Sequence, residues 1–181
     1  MKSLETIQKT FRIFQILTKI AMILSFVWAG LTILGLLCSM VWYSGGVVVG
    51  ASREVLLSLT ETDGLSQMTG VLLTDMVFAL ADGILLLFAF RYFQKEQADG
   101  TPFTQDGAEQ IKRLGIRTIV LPLVATILAA VFSELVGLSQ AARADLSNLP
   151  SVTMGIVLIL ASLIFRYGAE LETKNPSGNT V

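Results

Sequence analysis

The amino-acid sequence predicts an all-α, polytopic membrane protein with four transmembrane helices and short interfacial helices. Three observations predict it. Of 181 residues, 53% are hydrophobic and only 15% charged, whereas soluble domains carry about a quarter of their residues as charges. Four apolar stretches have the length or the flanks of a bilayer crossing. The basic residues between those stretches sort almost entirely to one side. One transmembrane domain over residues 1–172 and a disordered tail over 173–181 use the whole chain, leaving no room for a separate catalytic domain.

The first uncharged run, residues 20–43, spans 24 positions. At roughly 1.5 Å per residue it exceeds a hydrocarbon core of about 30 Å and is too long for a signal-peptide core. Trp42 and Tyr43 at its end suit a headgroup-level anchor. Before it, Leu4, Ile7, Phe11, Phe14 and Leu17 recur at helical spacing, which predicts an amphipathic helix over 3–19. That helix either lies in the interface before turning into the span or simply extends the span and packs on the connector.

The second span, 71–90, carries Asp75 and Asp82. The third, 116–136, is entered through Lys112, Arg113 and Arg117, and holds Pro122 early and Glu134 near its exit. Pro122 is expected to bend it. The fourth, 152–167, has a short uncharged core of 14 residues ending at Phe165, which Arg166 and Tyr167 lengthen by snorkelling. With the N-terminus inside, 11 of 13 basic residues are cytoplasmic and only Arg53 and Arg143 lie outside. The positive-inside rule therefore predicts both termini in the cytoplasm.

Between the first two spans, the 27-residue segment 44–70 contains SREVLLSL, in which Val55, Leu56 and Leu59 share a face. This predicts a short surface helix capped by Ser52 and stopped near Gly64. Gly30, Gly35, Ala79, Gly83, Ala125 and Ala129 are small residues that permit close helix approach.

Asp82 is the residue that most needs a partner. It falls about 16 Å below Val71, close to the bilayer midplane, where a carboxylate costs about 3 kcal/mol even on the lenient insertion scale. No span supplies a basic side chain at that depth. The expectation is that Asp82 faces the bundle, protonated or hydrated, at a polar site with Thr32, Thr126 and Ser162. Two uses fit. One is a cavity open to the outside, with Asp75 and Glu134 at its mouth and Asp82 at its floor, binding a cation, a proton or a small cationic ligand. The other is interhelical hydrogen bonding alone.

The cytoplasmic connector reads RYFQKEQADGTPFTQDGAEQIKRLGIR. Gly100 and Pro102 break one helix; Thr104 caps the next, with Phe103 outside it and Asp106 in the positive first turn. This hairpin is either a plain helix break or a docking site for a cytosolic partner. Its Gly-x-Pro-Phe-Thr motif followed by Lys112 and Arg113 resembles the YoaS-like bacterial four-helix membrane proteins, domain-of-unknown-function family twenty-nine seventy-five. Phe165, Gly168, Leu171 and Glu172 resemble the same family, whereas Pro176, Ser177 and Gly178 stand where members often carry an Asp-Leu-Thr-like end. The family has no established activity, and its members are often encoded beside small helix-turn-helix regulators. The resemblance implies a regulatory or immunity-type protein working with such a regulator.

One cysteine and no histidine exclude an internal disulfide, Cys/His metal sites and thiol–His or Ser–His catalysis. No phosphate loop or H-E-x-x-H motif is present, and Asp75 and Asp82 lie about 10 Å apart along one helix, too far to share a proton. No enzyme, cofactor or direct nucleic-acid binding is expected. The expected partners are the lipid bilayer, a cytosolic helix-turn-helix regulator and further copies of the chain. The competing function is a small oligomeric transporter or proton- or ion-conducting protein using Asp82.

Overall fold

A computed structural model describes residues 2–46, 52–62, 64–99, 105–135 and 150–174. They form five helices and no strand: α1 (Lys2–Tyr43), α2 (Arg53–Leu59), α3 (Leu65–Asp99), α4 (Gln105–Leu135) and α5 (Pro150–Lys174). Four stretches are long and apolar enough to cross a membrane: Arg12–Tyr43, Leu65–Gln97, Asp106–Phe132 and Thr153–Glu170. Each contains the span predicted for it or most of it. Along them large apolar side chains face outward, among them Leu24 at 63%, Met40 at 68%, Ile127 at 62% and Ile164 at 70% exposure. A helix with apolar side chains on its outer face is at home in lipid, so the chain is a multi-pass membrane protein.

α1 continues unbroken from Lys2 to Tyr43. The N-terminal segment therefore extends the first span, and the alternative in which an interfacial helix turns into it is set aside. Nothing in residues 2–43 breaks a helix: there is no proline, and Gly30 and Gly35 are isolated.

The chain divides into two compact units. The first comprises Met1–Met22, Ile84–Leu121 and Asn148–Val181; the second comprises Ile23–Gly83 and Pro122–Ser147. In the first unit, Tyr92, Ala108, Ile111, Leu114 and Ala169 are buried. Phe14 stacks on Phe93 with ring centroids 5.9 Å apart, so the N-terminal helix packs on the helix leaving the second span. The guanidinium of Arg117 sits 3.8 Å from the centroid of Phe88, an arrangement worth about 0.5–1 kcal/mol at an exposed site. α4 and α5 touch through glycine: a Cβ on Gly115 would lie 2.8 Å from the Gly155 carbonyl oxygen.

In the second unit, Met68, Leu72, Val77 and Ala79 of α3 are buried with Ala29 of α1 and Ala125 and Ala129 of α4. The Ser25 hydroxyl of α1 donates to the Ala79 carbonyl of α3 at 2.8 Å. Four residues on, a Cβ on Gly83 would meet the Phe26 ring at 3.0 Å. Ala79 and Gly83 thus form the stripe on which α1 lies, as small residues at i and i+4 allow. Gly30 differs from the expectation: it is exposed, and nothing lies within 4 Å of a Cβ built there.

α2 forms where the sequence predicts it, with two differences. Ser52 has the extended backbone of an N-cap but its hydroxyl makes no capping bond. The helix stops at Leu59, before Gly64. Glu61 N–H donates to the Ser58 carbonyl at 3.3 Å and Thr62 N–H to the Leu57 carbonyl at 3.0 Å. This is the paired bonding of a Schellman motif, whose left-handed position usually goes to glycine. Here Glu61 takes it, at φ 51°.

Candidate functional site

An open, groove-like cavity with a volume of about 500 Å³ lies on the surface of the second unit, and Trp28, Leu31, Leu34 and Leu59 of its lining are themselves exposed. Trp28, Leu31, Leu34, Gly35 and Cys38 of α1 form one wall, and Leu56 and Leu59 of α2 another. Val71, Leu72 and Asp75 of α3 complete it, with Thr60 and Glu61 of the turn after α2. Its size falls within the range of roughly 300–1,000 Å³ typical of small-molecule sites.

The local sequence explains the hollow. Gly35 lets α3 come close to α1 at the base of the hollow: Leu72 methyls would lie only 3.1 and 3.2 Å from a Cβ placed there. α2, seven residues with none buried, rests Leu56 at 3.7 Å from the same point and leaves Leu59 at 74% exposure. A helix of under two turns, standing on edge residues, does not pack down into the groove. The wall is therefore apolar but the rim is not. Asp75 and Glu61 carry carboxylates, and among the described residues no lysine or arginine lines the cavity. Among the described residues, neither carboxylate takes part in a hydrogen bond or ion pair. The two hydroxyls present are engaged: Thr60 donates to the Leu56 carbonyl at 2.9 Å, and Thr32 to the Ala29 carbonyl at 2.8 Å.

This arrangement revises the polar site read from the sequence. Asp75 does border a cavity, and Thr32 lines it, but Asp82 does not form its floor; Asp82 is exposed. The reason is the face of α3 that meets α1. Ala79 and Gly83 take that face because they are small, which turns Asp82 off it. The predicted hydroxyl partners bond within their own helices. Thr126 donates to the Pro122 carbonyl at 2.9 Å, and Ser162 to the Ile159 carbonyl at 2.6 Å. Ser162 belongs to the first unit, where it borders a hollow with Lys112 and Arg166. The side chain of Glu134 lies outside the described residues. Glu61 was missed as a site residue; a glutamate among turn residues reads as a solvated charge, and only the left-handed C-terminus of α2 brings it to the cavity.

Of the predicted hairpin, Gly100, Pro102, Phe103 and Thr104 lie outside the described residues. α3 ends at Asp99 and α4 begins at Gln105. Asp106 is in the first turn of α4 and pairs with Lys95 of α3 at 3.3 Å, an exposed bridge between the helices flanking the break.

No group of three or more potential metal ligands exists among the described residues. No family model matches the chain, and no curated protein or solved structure matches it.

Proposed function

We propose that this is a non-enzymatic, regulatory or immunity-type protein of the bacterial cytoplasmic membrane that binds a small ligand in the cavity of the second unit and acts on a cytosolic partner. The cavity carries the reading. It is a hollow of ligand size, apolar within and acidic at two points, as recognition of a small molecule requires. The distribution of basic residues supports an orientation with both termini cytoplasmic and the segment holding α2 outside. α1 and α3, which line the cavity, also contribute to the first unit, so an occupant bears directly on helices that reach the cytosolic connectors. The Gly100, Pro102, Phe103, Thr104 and Asp106 hairpin is the proposed docking element, and a helix-turn-helix regulator the proposed partner, on the strength of the family resemblance.

The test uses the tagged full chain. It should retain a soluble helix-turn-helix protein on purification, and Phe103→Ala should lose it. Cys38→Phe, which adds bulk to the cavity wall, should change the amount retained. Equal retention by all three proteins, or none by the unaltered chain, overturns the coupling.

A second reading has its own observation. Asp82 is exposed halfway along the Leu65–Gln97 span, where contact with lipid costs about 3 kcal/mol. Association of several copies around this carboxylate would remove that cost and line a path for protons or cations. Flux into liposomes that vanishes in Asp82→Asn supports such a transporter; unchanged flux, or none in the unaltered protein, removes it.

A further inference from the structure

We infer that the occupant of the cavity is a lipophilic organic monocation. The inference rests on the proposed ligand-binding role of the cavity and adds the ligand's chemical class. Most of the lining is hydrocarbon from Leu31, Leu34, Leu56, Leu72 and Val71, which demands an apolar body. Among the described residues, the charges that line it are both negative, from Asp75 and Glu61, and no cationic side chain lines it. An anionic amphiphile would be repelled by both. A neutral acyl chain would satisfy the walls and leave the two rim carboxylates without a counter-charge.

Small inorganic cations fit no better. Calcium takes six to eight oxygen ligands and magnesium near-octahedral oxygen geometry, whereas this cavity offers two carboxylates and two hydroxyls that already bond backbone carbonyls. A large organic cation needs no such shell. Its diffuse charge is weakly hydrated, so it gives up little in leaving water, and its bulk replaces water against leucine. Trp28, which lines the same cavity, adds an aromatic face that attracts cations more strongly than any other side-chain ring.

Glu61 strengthens the assignment. It occupies a left-handed backbone position that glycine would fill without strain. The residue that sits there instead brings a carboxylate to the cavity.

The full chain in phosphatidylcholine nanodiscs tests this with two probes of matched shape, tetraphenylphosphonium and tetraphenylborate. A Trp42→Phe background leaves Trp28 as the reporter, since the chain has two tryptophans and Trp42 does not line the cavity. The phosphonium should change Trp28 fluorescence saturably. Asp75→Asn should weaken it roughly tenfold, the equivalent of one lost charge contact, and Glu61→Gln less. The borate should give only the linear response of partitioning into lipid. Saturable borate binding equal to that of the phosphonium, or phosphonium binding indifferent to Asp75→Asn, overturns the cation assignment while leaving the cavity as a ligand site. If neither probe acts saturably on protein whose helicity and elution are unchanged, the cavity is not a site and both conclusions fall.

Discussion

The hollows of the two units are built from the same kinds of helix yet hold their charges differently. In the first unit, a hollow of about 320 Å³ is bordered by Asp106, Glu109, Lys112 and Arg166. Three of these four charges are already paired: Asp106 with Lys95 at 3.3 Å, Glu109 with Arg113 at 3.3 Å and Arg166 with Glu170 at 3.4 Å. In the second unit, the described residues lining the cavity include two acids and no base. Charges satisfied by neighbours on the same chain recognise nothing else. The contrast separates exposed ion pairs on the surface from carboxylates left for a ligand.

The largest effect expected is structural and lies in the first unit. A Cβ on Gly155 would fall 2.8 Å from the Gly115 carbonyl oxygen and overlap Ile119 Cγ1. One of these is backbone and cannot swing aside, so Gly155→Ala should destabilise by about 1–3 kcal/mol through overpacking. Thermal unfolding in detergent measures this. If the first unit is closed by this contact, as its geometry requires, a melting temperature within error of the unaltered protein would break the comparison at its root.

Smaller, and of opposite sign, is Glu61→Gly. Relief of a non-glycine residue from left-handed backbone should stabilise by about 1 kcal/mol. The same change removes a carboxylate from the cavity, so the melting temperature should rise while tetraphenylphosphonium binding weakens. A rise without any loss of binding would show that Glu61 takes no part in recognition and leave Asp75 alone. This is the familiar exchange of stability for function at a binding site, here confined to one residue.

How much of this was legible beforehand follows from the physics of each feature. The four spans were, because hydrophobic length and flanking charge are properties of contiguous sequence. The existence of α2 was, from the common face of Val55, Leu56 and Leu59. Its end was not: Gly64 advertises a stop, but the chain turned at Glu61, because the bonds to Ser58 and Leu57 carbonyls outweighed the residue's poor fit to left-handed backbone. The orientation of Asp82 was misread for a related reason. Depth along a helix can be counted, but rotation about its axis is decided by the neighbouring helix, and α1 selected the Ala79 and Gly83 stripe. The cavity itself was half legible. Asp75 was placed at its edge, while its apolar character depended on Trp28, Leu34 and Cys38 of a helix whose facing residues no period marks.

Lys95→Ala sharpens the charge comparison from the other side. Its partner Asp106 is exposed, as is the lysine, and such pairs contribute roughly 0.2–1 kcal/mol. The substitution should shift stability by no more than that, and less at high salt. It should leave phosphonium binding in the second unit untouched. A loss of binding would mean that the first unit's ion pairs bear on the cavity, and the distinction between paired surface charge and recognition charge would have to be given up.

A change of comparable size and opposite sign is expected for Gly30→Ala. Gly30 lies on α1 two residues from Trp28 and Thr32, is exposed, and has nothing within 4 Å of a built Cβ. Alanine there removes the entropic cost of glycine in a helix, about 0.5–1 kcal/mol, and collides with nothing in one copy of the chain. Gly30→Ala should therefore be neutral or slightly stabilising, the opposite of Gly155→Ala. The pair calibrates itself, since both add one methyl to a glycine in an apolar helix. Should Gly30→Ala instead destabilise by as much as Gly155→Ala, the open face of α1 must be covered in the assembled protein. Crosslinking in the membrane would then show whether a second copy supplies the cover, and the exposed position of Asp82 would gain the shielding that a lone chain does not provide.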